Sequence, residues 1–214
     1  NGRLSDPRLN GVVRANSLTY ENESFGTRVT QMRLDGRFTS DHLEIRDFSG
    51  RAGDGTVQAT GDVGLAANSG FPINIAVKLD RARLARSEAI TSVVSGTLNI
   101  TNSAANGGLI KGDLRLPETR YRVAWQGGTE IRQLTGVRRK GEGTDLLDQR
   151  LADRKAAAAP KPWKLDIRVR ADNEIYVTGM GLDSEWKTNM RVTGTATDPR
   201  VVGQVEVIRG RYSF

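Results

Sequence analysis

The residue types that most often carry chemistry are nearly missing from this chain. His42, between Asp41 and Leu43, is the only histidine, and there is no cysteine. A nucleophile–histidine–acid arrangement would have to be built on that one imidazole at a strand edge, where a satisfied surface histidine is the ordinary outcome. With no thiolate and a single imidazole the usual zinc ligand sets are excluded, so neither metal nor cofactor is expected. Carboxylates are plentiful, 25 Asp and Glu in 214 residues, so pairs of the glycosidase kind arise by chance and none is singled out. Together with Trp125, Trp163 and Trp186 they leave an enzyme or lectin acting on glycan as the weakest reading, and the chain is expected not to be an enzyme. Gly50-Arg51-Ala52-Gly53-Asp54-Gly55 is glycine-rich, but no Lys-Ser/Thr follows it and no helix begins after it. It reads as a hairpin turn and not as a phosphate cradle.

The formal net charge of +7 comes chiefly from arginine. The arginines stand singly at alternate positions, as Arg168 and Arg170 or Arg209 and Arg211, which is the spacing of a solvated strand face. Anionic lipid headgroups are the next reading of that charge. Aromatic residues, 6% of the chain, are too sparse for a base-stacking platform, so nucleic acid is not an expected partner. No apolar run of about 18 residues and no signal peptide occurs. The chain stops at Phe214 within a strand pattern, which marks it as an expected fragment with its anchor elsewhere.

What organises the rest is alternation. Trp163, Leu165, Ile167, Val169 and Ala171 alternate with Lys164, Asp166, Arg168, Arg170 and Asp172, and Ile73, Ile75, Val77 and Leu79 alternate with polar or small neighbours. Period two with one apolar side defines a half-buried strand. Further strands are expected over 29–38, 43–48, 56–65, 89–100, 109–116, 121–125, 175–177, 186–196 and from 201 onward. A turn is expected at Asp172-Asn173-Glu174, a short helical turn over Leu79 to Arg86, and a bulge at Ile208, where the apolar phase slips. A unit of apolar, any, Gly, any, apolar recurs as Leu9-Gly11-Val13, Leu34-Gly36-Phe38, Ala59-Gly61-Val63, Val94-Gly96-Leu98, Ile110-Gly112-Leu114, Val192-Gly194-Ala196 and Val201-Gly203-Val205. A longer echo matches Ser5-Asp6-Pro7-Arg8-Leu9 to Thr197-Asp198-Pro199-Arg200-Val201. Repetition of this kind predicts a modular all-β architecture.

One stretch differs. From 127 to 162 the chain is polar, with Arg138-Arg139-Lys140, a helix expected after Thr144 on the spacing of Leu147 and Leu151, and an alanine tract ended by Pro160. It is expected to be a loop insertion carrying one short helix in an otherwise single elongated module over 1–214. The many one-sided strands must hide their apolar faces by closing, packing as a sandwich or curling. Small inward residues favour a sheet that bends and leaves room inside, while glycines at the bulges of a filled sandwich are the alternative. On the first reading the groove wall comprises Ile73, Ile75, Val77, Val94, Leu98, Ile110, Leu114, Leu165, Ile167, Val169, Val192, Val205 and Val207.

The stretch Ile175-Tyr176-Val177-Thr178-Gly179-Met180-Gly181-Leu182-Asp183-Ser184-Glu185, followed by Gly194-Thr195 with Pro199 and Gly203 and then by Gly210-Arg211-Tyr212, resembles the C-terminal domain of the TamB family. The resemblance is specific over 163–214, extends through 88–126, and is architectural before that; the insertion at 127–162 departs from it. It implies a U-shaped, largely antiparallel or mixed sheet, a β-taco, with an apolar concave groove, in a periplasmic protein anchored in the inner membrane. It further implies a module that carries phospholipid acyl chains between the two membranes. The other role implied is that of an adaptor, assisting outer-membrane protein clients by strand augmentation with the barrel protein TamA or a BamA-family relative.

Overall fold

The computed structural model describes residues 8–23, 25–66, 70–123 and 162–213. All belong to one compact unit, Asn1–Ala124 with Pro162–Phe214. The insertion and its expected helix lie outside the described residues, as does Trp125. The unit is a single open, curved sheet of ten strands in sequence order: β1 Leu9–Asn22, β2 Thr27–Ser40, β3 His42–Ala52, β4 Gly55–Gly64, β5 Ile73–Arg86, β6 Ile90–Ser103, β7 Gly107–Arg122, β8 Lys164–Gly179, β9 Leu182–Gly194 and β10 Pro199–Tyr212. Every neighbouring pair is antiparallel except β7 with β8, which is parallel. The sheet is therefore the expected all-β, largely antiparallel one. No second sheet packs on it among the described residues.

Tight turns follow the residues that permit them. Between β8 and β9 the chain reverses through Met180 and Gly181, both with positive φ (51° and 83°), which is the backbone of a two-residue turn matched to strand twist. Between β3 and β4 the turn is Gly53-Asp54, so Gly50 and Arg51 of the glycine-rich segment stay in β3.

Extra residues are inserted along a line that crosses the sheet. Register shifts on this line fall between Ala15 and Leu18 in β1, Thr30 and Arg33 in β2, Leu79 and Ala82 in β5, Arg115 and Thr119 in β7, Ala171 and Ile175 in β8, and Val207 and Arg209 in β10, while a further one, between Ile45 and Phe48 in β3, lies off it. Four of these insertions hold a non-glycine residue at positive φ: Ser17, Gln31, Arg81 and Glu174. A bulge bends its strand and raises the local twist, so a row of them forms a seam along which the sheet turns. Pro117 sits in the β7 bulge, where a missing N–H breaks no ladder bond.

The buried core lies on this seam. Val29, Ala52, Leu79, Ala82 and Val94 form its cluster, with Met32, Val57, Leu84 and Leu114 against it, and Ala52 and Ala82 have no exposed surface. The β3–β4 hairpin ends there, and past its tip β2 and β5 meet directly. The Arg86 amide donates to Phe25 O at 3.0 Å, and the Thr27 hydroxyl donates to Leu84 O.

Three expectations change. Leu79 to Arg86 is strand, not a helical turn, because the bulge converts an i, i+2 spacing of inward residues into i, i+3 between Leu79 and Ala82. Asp172-Asn173-Glu174 does not separate two strands; it is a bulge within β8. Tyr121 does not open a new strand, since β7 runs through it to Arg122. The slip expected at Ile208 is present as the β10 bulge.

Candidate functional site

Residues directly opposite one another in neighbouring strands point to the same side of a sheet, so the register reveals what each face is made of. One row runs Ala15, Leu34, Phe48, Ala59, Val77, Leu98, Gly112, Ile167, Val192, Val201 and crosses all ten strands. Every member is apolar or glycine. Beside it run Val13, Gly36, Ile45, Gly61, Ile75, Ile100, Ile110, Leu165 on one side and Gly50, Val57, Leu79, Gly96, Leu114, Val169, Met190, Gly203 on the other. A further row holds Phe38, Leu43, Val63 and Ile73. The apolar surface is thus a band running across the strands, at about 4.8 Å per strand roughly 43 Å long.

Glycines let neighbouring strands sit where a side chain would block them. A Cβ on Gly61 would lie 2.0 Å from Asn74 O, and one on Gly96 would lie 2.2 Å from Asp113 O; both have φ near +140°, a strained region for other residues. Large side chains flank these gaps: Ile45 and Ile75 beside Gly61, Leu79 and Leu114 beside Gly96.

Ten of the thirteen residues singled out from sequence fall in these rows: Ile73, Ile75, Val77, Leu98, Ile110, Leu114, Leu165, Ile167, Val169 and Val192. All ten are half-buried. Val94 lies on the seam, buried against Ala82. Val205 and Val207 pair with Thr188 and Trp186 at and beyond the seam, on the edge strand, and are 56% and 53% exposed. Sequence reasoning missed the band's continuation through Leu34, Phe38, Leu43, Ile45, Phe48, Val57 and Val63. The repeated apolar-x-Gly-x-apolar unit contains Leu34, Phe38 and Val63, whereas Leu43, Ile45, Phe48 and Val57 belong to no such unit and join the band only through their register with Phe38, Gly36, Leu34 and Leu79.

The opposite face is ionic. Lys78, Thr97, Asp113, Arg168 and Arg191 form one row, and Asn99, Lys111 and Asp166 the next. Asp113 accepts from Arg170 Nη2 at 2.7 Å with Arg168 3.6 Å away, and Asp166 accepts from Arg191 Nε at 2.7 Å. These pairs stitch the parallel β7–β8 junction and β8–β9. Hydrogen bonds from Arg170 and Arg191, reinforced by the nearby charges, hold the Asp113 and Asp166 carboxyls below the usual carboxylate range, and Asp166 in turn raises Arg191. His42 Nδ1 lies 3.3 Å from Asp41. Among the described residues no group of three or more His, Cys, Asp or Glu side chains could hold a metal ion, and no helix is long and apolar enough to cross a membrane.

The class this defines is a single-layer β-sheet module with one continuous apolar face, one ionic face and a bulged seam between its two halves. The sequence model of the TamB C-terminal domain matches residues 43–214. The chain therefore belongs to the TamB C-terminal domain family, the translocation and assembly module group. No curated protein and no solved structure has significant similarity to it.

Proposed function

We propose that the apolar band is a track for phospholipid acyl chains, so that the module carries lipid between the inner and outer membranes as part of a periplasmic, inner-membrane-anchored protein. The observation that carries this reading is the unbroken row from Ala15 to Val201, apolar or glycine in all ten strands, half-buried from Ala15 to Val192 and exposed at Val201, with no second sheet over it among the described residues. Apolar surface of that extent is favourable to cover at about 25 cal/mol per Å². Acyl chains suit a band that offers side chains without polar anchors along its length. Photo-crosslinkers at Ile167 and Val192 are expected to capture phospholipid, whereas those at Arg168 and Arg191, on the ionic face of the same strands, are not. Equal capture from both faces overturns the reading.

A second reading rests on a different surface. β10 is exposed along its whole length, with Val201 58% and Val202 70% exposed, and among the described strands it pairs with β9 alone. A long apolar edge is a template for an added strand. It would serve an adaptor that accepts a strand of an outer-membrane protein client, of TamA or of a BamA-family relative. A proline scan of β10 should then abolish client capture while crosslinking from Ile167 persists.

A further inference from the structure

Where β2 and β5 meet beyond the β3–β4 hairpin there is an open hollow of about 220 Å³, on the face opposite the apolar band by the register of Thr30 with Arg51 and of Arg83 with Val93. Its walls are Arg28, Thr30, Arg83 and Arg86, with the turn glycines Gly26 and Gly53, and no carboxylate lines it. We propose that this hollow is an oxyanion site for a phosphate group, carried either on a lipid headgroup or on a free phosphate. The inference does not depend on what occupies the apolar band.

Three features argue for a built site. Arg83 is held in place: its Cβ and guanidinium carbon pack on Gly53, where an added Cβ would stand 2.9 and 3.2 Å from them, so only glycine leaves room for that side chain. The walls are fixed to each other by the Arg86 amide bond to Phe25 O and by Gly26, which lies so close to Arg86 O that it has no space for a side chain. The guanidiniums are only partly neutralised. Arg28 pairs with Glu21 at 2.8 Å and Arg83 with Asp54 at 2.8 Å, but both acids lie outside the hollow, and the Asp54 side chain is 92% exposed. Arg86 has no side-chain partner among the described residues. Exposed pairs of this kind contribute little and exchange readily, whereas planar guanidiniums converging on one anion can bind phosphate in bidentate fashion.

The test titrates the 214-residue chain with orthophosphate at constant ionic strength, reading the arginine Nε–H resonances, and separately floats it with phosphatidylglycerol or phosphatidylcholine vesicles. Saturable shifts at Arg83 and Arg86 are expected. Arg86→Ala should weaken phosphate binding about tenfold or more, from the loss of a charged hydrogen bond. Asp54→Asn should tighten it severalfold, and Arg46→Ala, on β3 and paired with Glu44, should leave it unchanged. Flotation with phosphatidylglycerol that Arg86→Ala abolishes would identify a lipid headgroup; saturable orthophosphate binding without flotation would identify a free phosphate ligand. Chloride reproducing the shifts, or Arg86→Ala and Asp54→Asn both behaving as the parent, overturns the proposal. Should circular dichroism show that Arg86→Ala does not fold, the exposed Asp54→Asn variant decides alone.

Discussion

The seam and the apolar band cross the same strands, yet they handle apolar surface in opposite ways. On the seam the side chains are small or branched, Ala52, Ala82, Val29 and Val94, and they are buried because bulges turn the sheet over them. In the band the side chains are larger, Ile75, Leu98, Ile167 and Leu165, and they remain half-exposed because no other described element is folded onto them. Hydrophobic stabilisation follows area removed from water, so the seam holds more of it per residue, while the band keeps surface available. The sheet is held together along a line, and its broad face is left for something else.

Substitutions on the two lines should separate them. Ala82→Asp would place a carboxylate where there is no exposed surface and is expected to destabilise by about 3 kcal/mol or more. At this chain length that lowers the melting midpoint by roughly 6–12 °C, measurable by circular dichroism. Gly61→Val sits in the band but acts on the backbone, against Asn74 O and at strained φ, and should lose about 2 kcal/mol. Ile167→Arg changes only the half-exposed face and should lose about 1 kcal/mol. If Ile167→Arg destabilised as much as Ala82→Asp, the division between seam and band would be wrong.

The smallest effect belongs to the ionic face and depends on pH. Arg170 holds the Asp113 carboxyl below its ordinary value, so the folded form binds its proton less readily than the unfolded form. That contribution is complete above the ordinary carboxylate pKa and is lost as pH falls through the lowered one. Asp113→Asn should therefore melt slightly below the parent at neutral pH, and the two should converge on acidification below the carboxylate range. A difference that persists in strong acid would assign the effect to packing and not to charge.

Much of the band was legible because alternation with period two needs only side-chain types, and Ile73 to Leu79 and Leu165 to Val169 display it without interruption. The bulge at Val207 to Arg209 was also visible, since the apolar phase changes there. The remaining insertions were not, because Ser17, Gln31, Arg81 and Glu174 are ordinary polar residues whose positive φ is imposed by the ladders on either side. An inserted residue imitates helical spacing, which is why Leu79 to Arg86 read as a helical turn. The hollow between β2 and β5 was beyond sequence reading for a related reason: Arg28 and Arg86 come together only because the β3–β4 hairpin stops at the seam.

The parallel pairing of β7 with β8 bears on how the chain reaches this form. From β1 to β7 each strand is joined to its neighbour by a short reversal, so the ladder can grow by successive hairpins, each closing a small loop. At β8 the next strand arrives from the far side of about 40 residues, between Arg122 and Lys164, and it must align along Leu109 to Arg122 before any of its ladder bonds form. The loop-closure entropy is larger there than at any hairpin and is met before the contacts that compensate it. The joint between β7 and β8 is thus the expected kinetic bottleneck, with β1–β7 assembling first and β8–β10 docking as a second event.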